Sequence, residues 1–138
     1  MQLYEILPHT ADVRLQVTGT TLQELFIAAL EGMNEIIRPG ACRGELTLTE
    51  RADVAVESSD TTALLIDFLA EVLTLTHERY TVFCGVEFSE LTAIRLTAQI
   101  SGRRVEQFDE DIKAVTYHGA DVRRDAQGNY GTIIVFDI

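Results

Sequence analysis

The sequence is short of positive charge, of cysteine and of long apolar runs, and each shortage closes off a class of function. Eleven Lys and Arg stand against 22 Asp and Glu, a formal net charge of −11. Such a surface repels phosphate backbones and acidic membranes, so direct nucleic-acid binding is not expected, whereas a metal cation or a basic protein partner suits it. No run of about 18 apolar residues occurs, and the opening MQLYEILPHTAD lacks a basic segment followed by an apolar one, so neither a membrane span nor a signal peptide is expected. The expected compartment is the cytoplasm. Cys42 and Cys84 show neither CxxC spacing nor the density of a disulfide scaffold, which reads most simply as reduced thiols, with Cys84 a packing residue. Catalytic templates are missing too: there is no GxSxG elbow, no GxxxxGK[ST], no GxGxxG and no HExxH.

The chain that remains has 138 residues, 46% of them hydrophobic, enough for one domain that buries roughly two-thirds of the surface of its unfolded form. No repeat or linker divides it, so residues 1–138 read as a single domain. VRLQV, residues 13 to 17, alternates as a half-buried strand does. Thr21 and Glu24 then have capping-box spacing, in which hydroxyl and carboxylate each satisfy a free backbone N–H. Leu22, Leu25, Phe26, Ala29, Leu30 and Met33 follow on one helical face that ends near Pro39. Leu46, Leu48, Val54 and Val56 suggest a strand pair or one long irregular strand. Ser59 or Asp60 can cap a second helix with Leu65, Phe68, Leu69, Val72 and Leu73 facing inward.

From Tyr80 the period becomes two: YTVFCGVEF places Tyr80, Val82, Cys84, Val86 and Phe88 on one side, and TAIRLTAQI does the same with Ile94, Leu96, Ala98 and Ile100. RRDAQGN is rich in turn formers and predicts a closing hairpin. TIIVF is apolar on both faces, which predicts a central or well-covered last strand. The fold class is therefore α+β: a largely antiparallel sheet with two amphipathic helices packed on one face.

Three stretches depart from packing logic. HTAD, residues 9 to 12, is either a turn in which Thr10 and Asp12 bond nearby amides or a ligand site to which His9 and Asp12 both point. In DEDIKAVTYH the acidic start reads as a solvated bend, and Lys113 and His118 as strand-face side chains. The chain closes on Asp137 and Ile138, where a side-chain and a main-chain carboxylate are adjacent. These are hard oxygen donors, and Asp12 would make a third. Calcium would need roughly 6 to 8 oxygens, so carbonyls, waters or a partner must complete such a shell. No cysteine stands beside a histidine, which argues against structural zinc.

HTADVRLQVTGTTLQELFIAAL, LLIDFLAEVL, IKAVTYHGADV and the terminal VFDI, in this order, resemble the archease family over almost the whole length. The resemblance implies a small α+β accessory protein of RtcB-type RNA ligases, the GTP-dependent enzymes of tRNA splicing and RNA repair. Such a protein promotes ligase guanylylation and repeated turnover and is not itself an enzyme. It implies a divalent metal held by Asp12, Asp137 and Ile138: calcium as the first expectation, magnesium or manganese as alternatives. The last strand's abrupt end then has a reason, since a tail would displace the terminal ligand. His9, Lys113 and His118 match the motifs as groups behind the ligands or facing the partner. Many members carry an acidic residue directly before the histidine; here Pro8 occupies that place, and the three ligand positions are intact. Two other functions remain open at this point: a general chaperone or interaction module for an RNA-modifying methyltransferase, and a small metal-dependent hydrolase with His9 or His118 as base. Oligomeric state is not legible.

Overall fold

The computed structural model describes residues 1–7, 12–45 and 47–138. In chain order the elements are β1 (Leu3–Leu7), β2 (Asp12–Gly19), α1 (Leu22–Ile37), β3 (Glu50–Glu57), α2 (Thr61–Arg79), β4 (Thr81–Leu91), β5 (Arg95–Arg104), β6 (Ala114–Thr116), β7 (Arg123–Arg124) and β8 (Tyr130–Asp137). The expected α+β arrangement is the observed one, and its antiparallel strands divide into two sheets. The first runs β1-β2-β8-β6, with β7 also pairing β8; the second runs β3-β5-β4. As TIIVF predicts, β8 is central, with β2 on one side and β6 and β7 on the other.

Alternation sets the faces of the first sheet. Val13, Leu15 and Val17 point into the core, while Arg14 and Gln16 point outward. On β8, Ile134 and Phe136 are buried in the same layer. Helix α1 lies close on β2 because Gly32 has no side chain: a Cβ there would come within 2.5 Å of a Leu15 methyl. Phe26 of α1, Phe68 of α2 and Phe88 of β4 form a ring triad with centroids 5.8 to 6.3 Å apart, which joins both helices to the second sheet. Burial of each fully enclosed Phe stabilises by about 2 to 3 kcal/mol.

Both helix starts are as the sequence predicts, with one change of partner. The Glu24 N–H donates to Thr21 Oγ1 at 3.1 Å, but the Glu24 carboxylate does not complete the box on Thr21. It accepts instead from Thr20 N at 2.9 Å, from the Thr20 hydroxyl at 2.6 Å and from the Met1 ammonium at 3.0 Å. The carboxylate thereby fastens the chain's beginning to α1. Asp60 caps α2 by accepting from Ala63 N at 2.8 Å.

Three expectations are corrected. Tyr80 does not begin a strand: it closes α2 in the left-handed region, φ 49° and ψ 48°, and stacks on Phe108 at 5.2 Å. Alternation cannot reveal such a cap. The 46–56 stretch forms one strand that starts only at Glu50, after Leu48, with Leu46 outside the described residues. The cysteines are not free thiols: Cys42 and Cys84 form a disulfide across 42 residues of sequence, with Cα atoms 5.5 Å apart. Long-range bonds create that proximity, since Asn34 Nδ2 donates to Phe83 O at 2.8 Å and Arg103 donates to Ala41 O at 3.2 Å. These hold the turn after α1 against β4.

Candidate metal centre

Asp12 opens β2 and Asp137 closes β8, and the antiparallel register sets them directly opposite each other. The neighbouring rung, Val13 with Phe136, is buried. Side chains alternate along a strand, so both aspartates point to the outer face, where both are exposed. Directly opposed residues have Cβ atoms roughly 4.5 to 5.5 Å apart, and like charges so placed destabilise a ladder. Among the described residues neither aspartate takes part in an ion pair. Two hard, uncompensated oxygen donors on one rung fit a divalent cation.

The rung is held from both sides. Ala114 of β6 opposes Asp137, and the Lys113 N–H donates to Asp137 O at 2.7 Å. Beyond Asp137, the half-buried Ile138 packs its side chain against the core, which fixes the residue carrying the terminal carboxylate. Asp12, Asp137 and Ile138 are thus at one end of one sheet. Among the described residues, no three His, Cys, Asp or Glu side chains converge as a metal cluster. A cation here would rest on two side chains and one main-chain group, with carbonyls, water or a partner completing its shell.

The supporting residues are distributed differently. His9 lies outside the described residues. Lys113, the only lysine in the sequence, is exposed and adjoins the rung through its backbone. His118 is exposed in the turn after β6, which runs away from Asp137 because Thr116 already pairs with Val135. The structure brings Lys113 beside the carboxylates and does not bring His118 there.

One polar cluster was not anticipated from the sequence. The Tyr117 hydroxyl donates to one oxygen of Asp67 on α2, and Ser58 Oγ donates to the other at 2.7 Å. The bond to Asp67, then burial, raise the Tyr117 pKa above its ordinary value of 10.0. The segment continues with Asp121 N bonded to Thr132 Oγ1 and Val122 N to Thr62 Oγ1, both at 2.9 Å. The sequence signal was Asp67 itself, an acid inside the apolar run LLIDFL that requires a partner.

A model of the Archease protein family (MTH1598/TM1083) matches residues 4–138. The chain belongs to the archease family. Protein archease of Methanosarcina acetivorans is 35% identical over 141 residues, covering 96% of this chain and 94% of that relative. The solution structure of protein 1598 of Methanobacterium thermoautotrophicum superimposes with a TM-score of 0.74 at 25% identity, covering 98% of both chains. A crystal structure from Thermotoga maritima, described as an archease and possible chaperone, has a TM-score of 0.66 at 21% identity, covers 97% of this chain and 96% of that one, and shows the shared fold. No helix of the described archease residues is long and apolar enough to cross a membrane.

Proposed function

We propose that this archease, as one domain over residues 1–138, is a metal-binding accessory protein that stimulates guanylylation and multiple turnover of an RtcB-type RNA ligase in tRNA splicing and RNA repair, in the cytoplasm. The observation that carries the reading is the Asp12–Asp137 rung, a pair of opposed carboxylates that form no ion pair among the described residues. Asp12, Asp137 and the Ile138 carboxylate would hold the metal, with calcium the first candidate and magnesium or manganese the others. When bound, a divalent ion supplies positive charge that can orient and neutralise phosphate oxygens. The chain's own residues supply position: the Val13–Phe136 rung anchors the aspartates, and the Lys113 N–H fixes the Asp137 backbone. The protein need not bind RNA itself, since the ligase holds the RNA and the acidic end can face the ligase's cationic active site. Asp12→Ala should abolish stimulation of ligase guanylylation while leaving the fold intact; full stimulation by that variant contradicts the reading.

The description of the Thermotoga maritima protein as a possible chaperone favours a second reading, a general chaperone or interaction module for an RNA-modifying methyltransferase. That role predicts partner solubility that survives removal of both aspartates. A hydrolase has less support, because His118 leaves β6 away from the carboxylates.

A further inference from the structure

We propose that the outer face of the first sheet, from Leu3 across Ile133 and Val135 to the Asp12–Asp137 rung, is the surface on which a partner protein docks, and that the partner presents an apolar ridge beside a cationic centre. The proposal deepens the accessory reading above and rests on it.

Strand β8 carries the argument. Its apolar run asks for cover on both faces, and the inner face has it: Ile134 and Phe136 are fully buried. On the outer face Ile133 and Val135 are only half-buried, and their rung neighbours on β2 are the exposed Gln16 and Arg14. A β-branched pair at the middle of a central strand is thus left half-covered by the described residues.

The same face widens the apolar surface at its edge. Leu3 and Leu7 of β1 oppose Thr18 and Arg14, and Leu3 is 54% exposed. Among the described residues β1 has no outer neighbour, and the exposed Glu5 between Leu3 and Leu7 is the one charge on this face of the edge, with no proline or bulge. Two shallow cavities of 340 and 300 Å³ lie along this face toward the hairpin, sharing Thr18, Arg123 and Gly131.

Charge identifies the occupant. The face ends in Asp12 and Asp137, neither ion-paired among the described residues, and Arg14 two residues along β2 pairs with neither. A partner that brings a cation or basic side chains to that end relieves the repulsion of the rung while its apolar ridge covers Ile133 and Val135. A second copy of this chain fits poorly, because it would bring another −11 of charge and another pair of carboxylates.

The test is calorimetric binding of an RtcB-type ligase to four forms of the full chain: wild type, Ile133→Lys, Val135→Lys, and Gln99→Lys on the outer face of the second sheet. Gln99 is opposed by Asp53 and Glu87, so a lysine is accommodated there. The two first-sheet variants should each bind about tenfold more weakly, the loss expected where a charge replaces an apolar residue near the centre of an interface, while Gln99→Lys matches wild type. Should a lysine variant melt early, Ile133→Thr and Val135→Thr keep the branching and should still weaken binding about threefold. Wild-type binding that all first-sheet variants reproduce within twofold overturns this docking face and leaves the accessory function standing. Failure of the wild type to bind the ligase overturns both. A wild-type dimer that Val135→Lys dissociates in sedimentation assigns the face to a second copy and overturns the partner proposed.

Discussion

On the outer face of the second sheet Arg95 pairs with Glu57 at 3.4 Å, Arg51 bonds Gln99 at 3.3 Å and Ser89 bonds Thr97 at 2.6 Å; on the outer face of the first, Ile133 and Val135 are half-buried and two aspartates oppose each other with no ion pair among the described residues. A cavity of 430 Å³ lies on the second sheet's face, among Asp53, Glu87, Ser89, Thr97 and Gln99. There Ser89, Thr97 and Gln99 are hydrogen-bonded, and Asp53 and Glu87 are held apart on either side of Gln99 rather than opposed to each other. Directly opposed like charges beside half-buried apolar side chains mark where a ligand would lower the free energy, and the two occur together on the first sheet.

Changes beneath both faces should not tell them apart. Phe68→Ala removes the ring that bridges Phe26 and Phe88 and should lower unfolding stability by about 3 to 5 kcal/mol, measured by urea denaturation, with both sheets lost in one transition. Loss confined to one sheet would show that the core is not shared.

Reduction of Cys42–Cys84 frees the turn after α1 from β4 of the second sheet. The loop it closes spans 42 residues, so chain-entropy reasoning gives up to about 4 kcal/mol. Denaturation with and without a dithiol reductant checks this, and metal binding at the first sheet should survive reduction. The bond also bears on compartment, because a reducing cytoplasm ordinarily keeps thiols free outside hyperthermophiles. Thiol counting on protein taken from its native cells under alkylation should find none free.

Asp137→Asn separates the two requirements of the rung. Relief of like-charge repulsion should stabilise the metal-free protein by about 0.2 to 1 kcal/mol, while calcium binding weakens. The corresponding Asp53→Asn change on the second sheet should do neither.

Smallest are two pH effects of opposite sign. The Thr20 hydroxyl and amide, with the Met1 ammonium, hold the Glu24 carboxyl at about 2, below its ordinary 4.5. Its contribution is complete above pH 4.5 and is lost as pH falls toward 2. Tyr117 is raised, so its contribution is complete below pH 10 and disappears as pH rises beyond the folded value. Melting curves of Glu24→Gln and Tyr117→Phe should converge on wild type at the acid and alkaline ends respectively.

Local patterns told most of the fold. Thr21 and Asp60 announced the helices, and alternation in VRLQV and TAIRLTAQI announced strands. The apolar β8 announced a central position. What local pattern could not convey was proximity between distant segments. Cys42 meets Cys84 where Arg103 bonds Ala41 O and Asn34 bonds Phe83 O, the residues just before each cysteine, and Tyr117 meets Asp67 where the 117–122 segment lies along α2. Tyr80 misled because a left-handed cap preceding a strand has the same alternating neighbours as the strand. The candidate site was half legible: hard donors at Asp12, Asp137 and Ile138 were visible as chemistry, but their assembly required the β2–β8 register.

The most direct measurement is a calcium and magnesium titration by calorimetry of the native chain against one extended by a single glycine after Ile138. We predict binding to the native chain that disappears on extension, since the added residue moves the terminal carboxylate off the Asp12–Asp137 rung. Equal binding by both chains, or binding by neither, would contradict a metal centre built on that carboxylate.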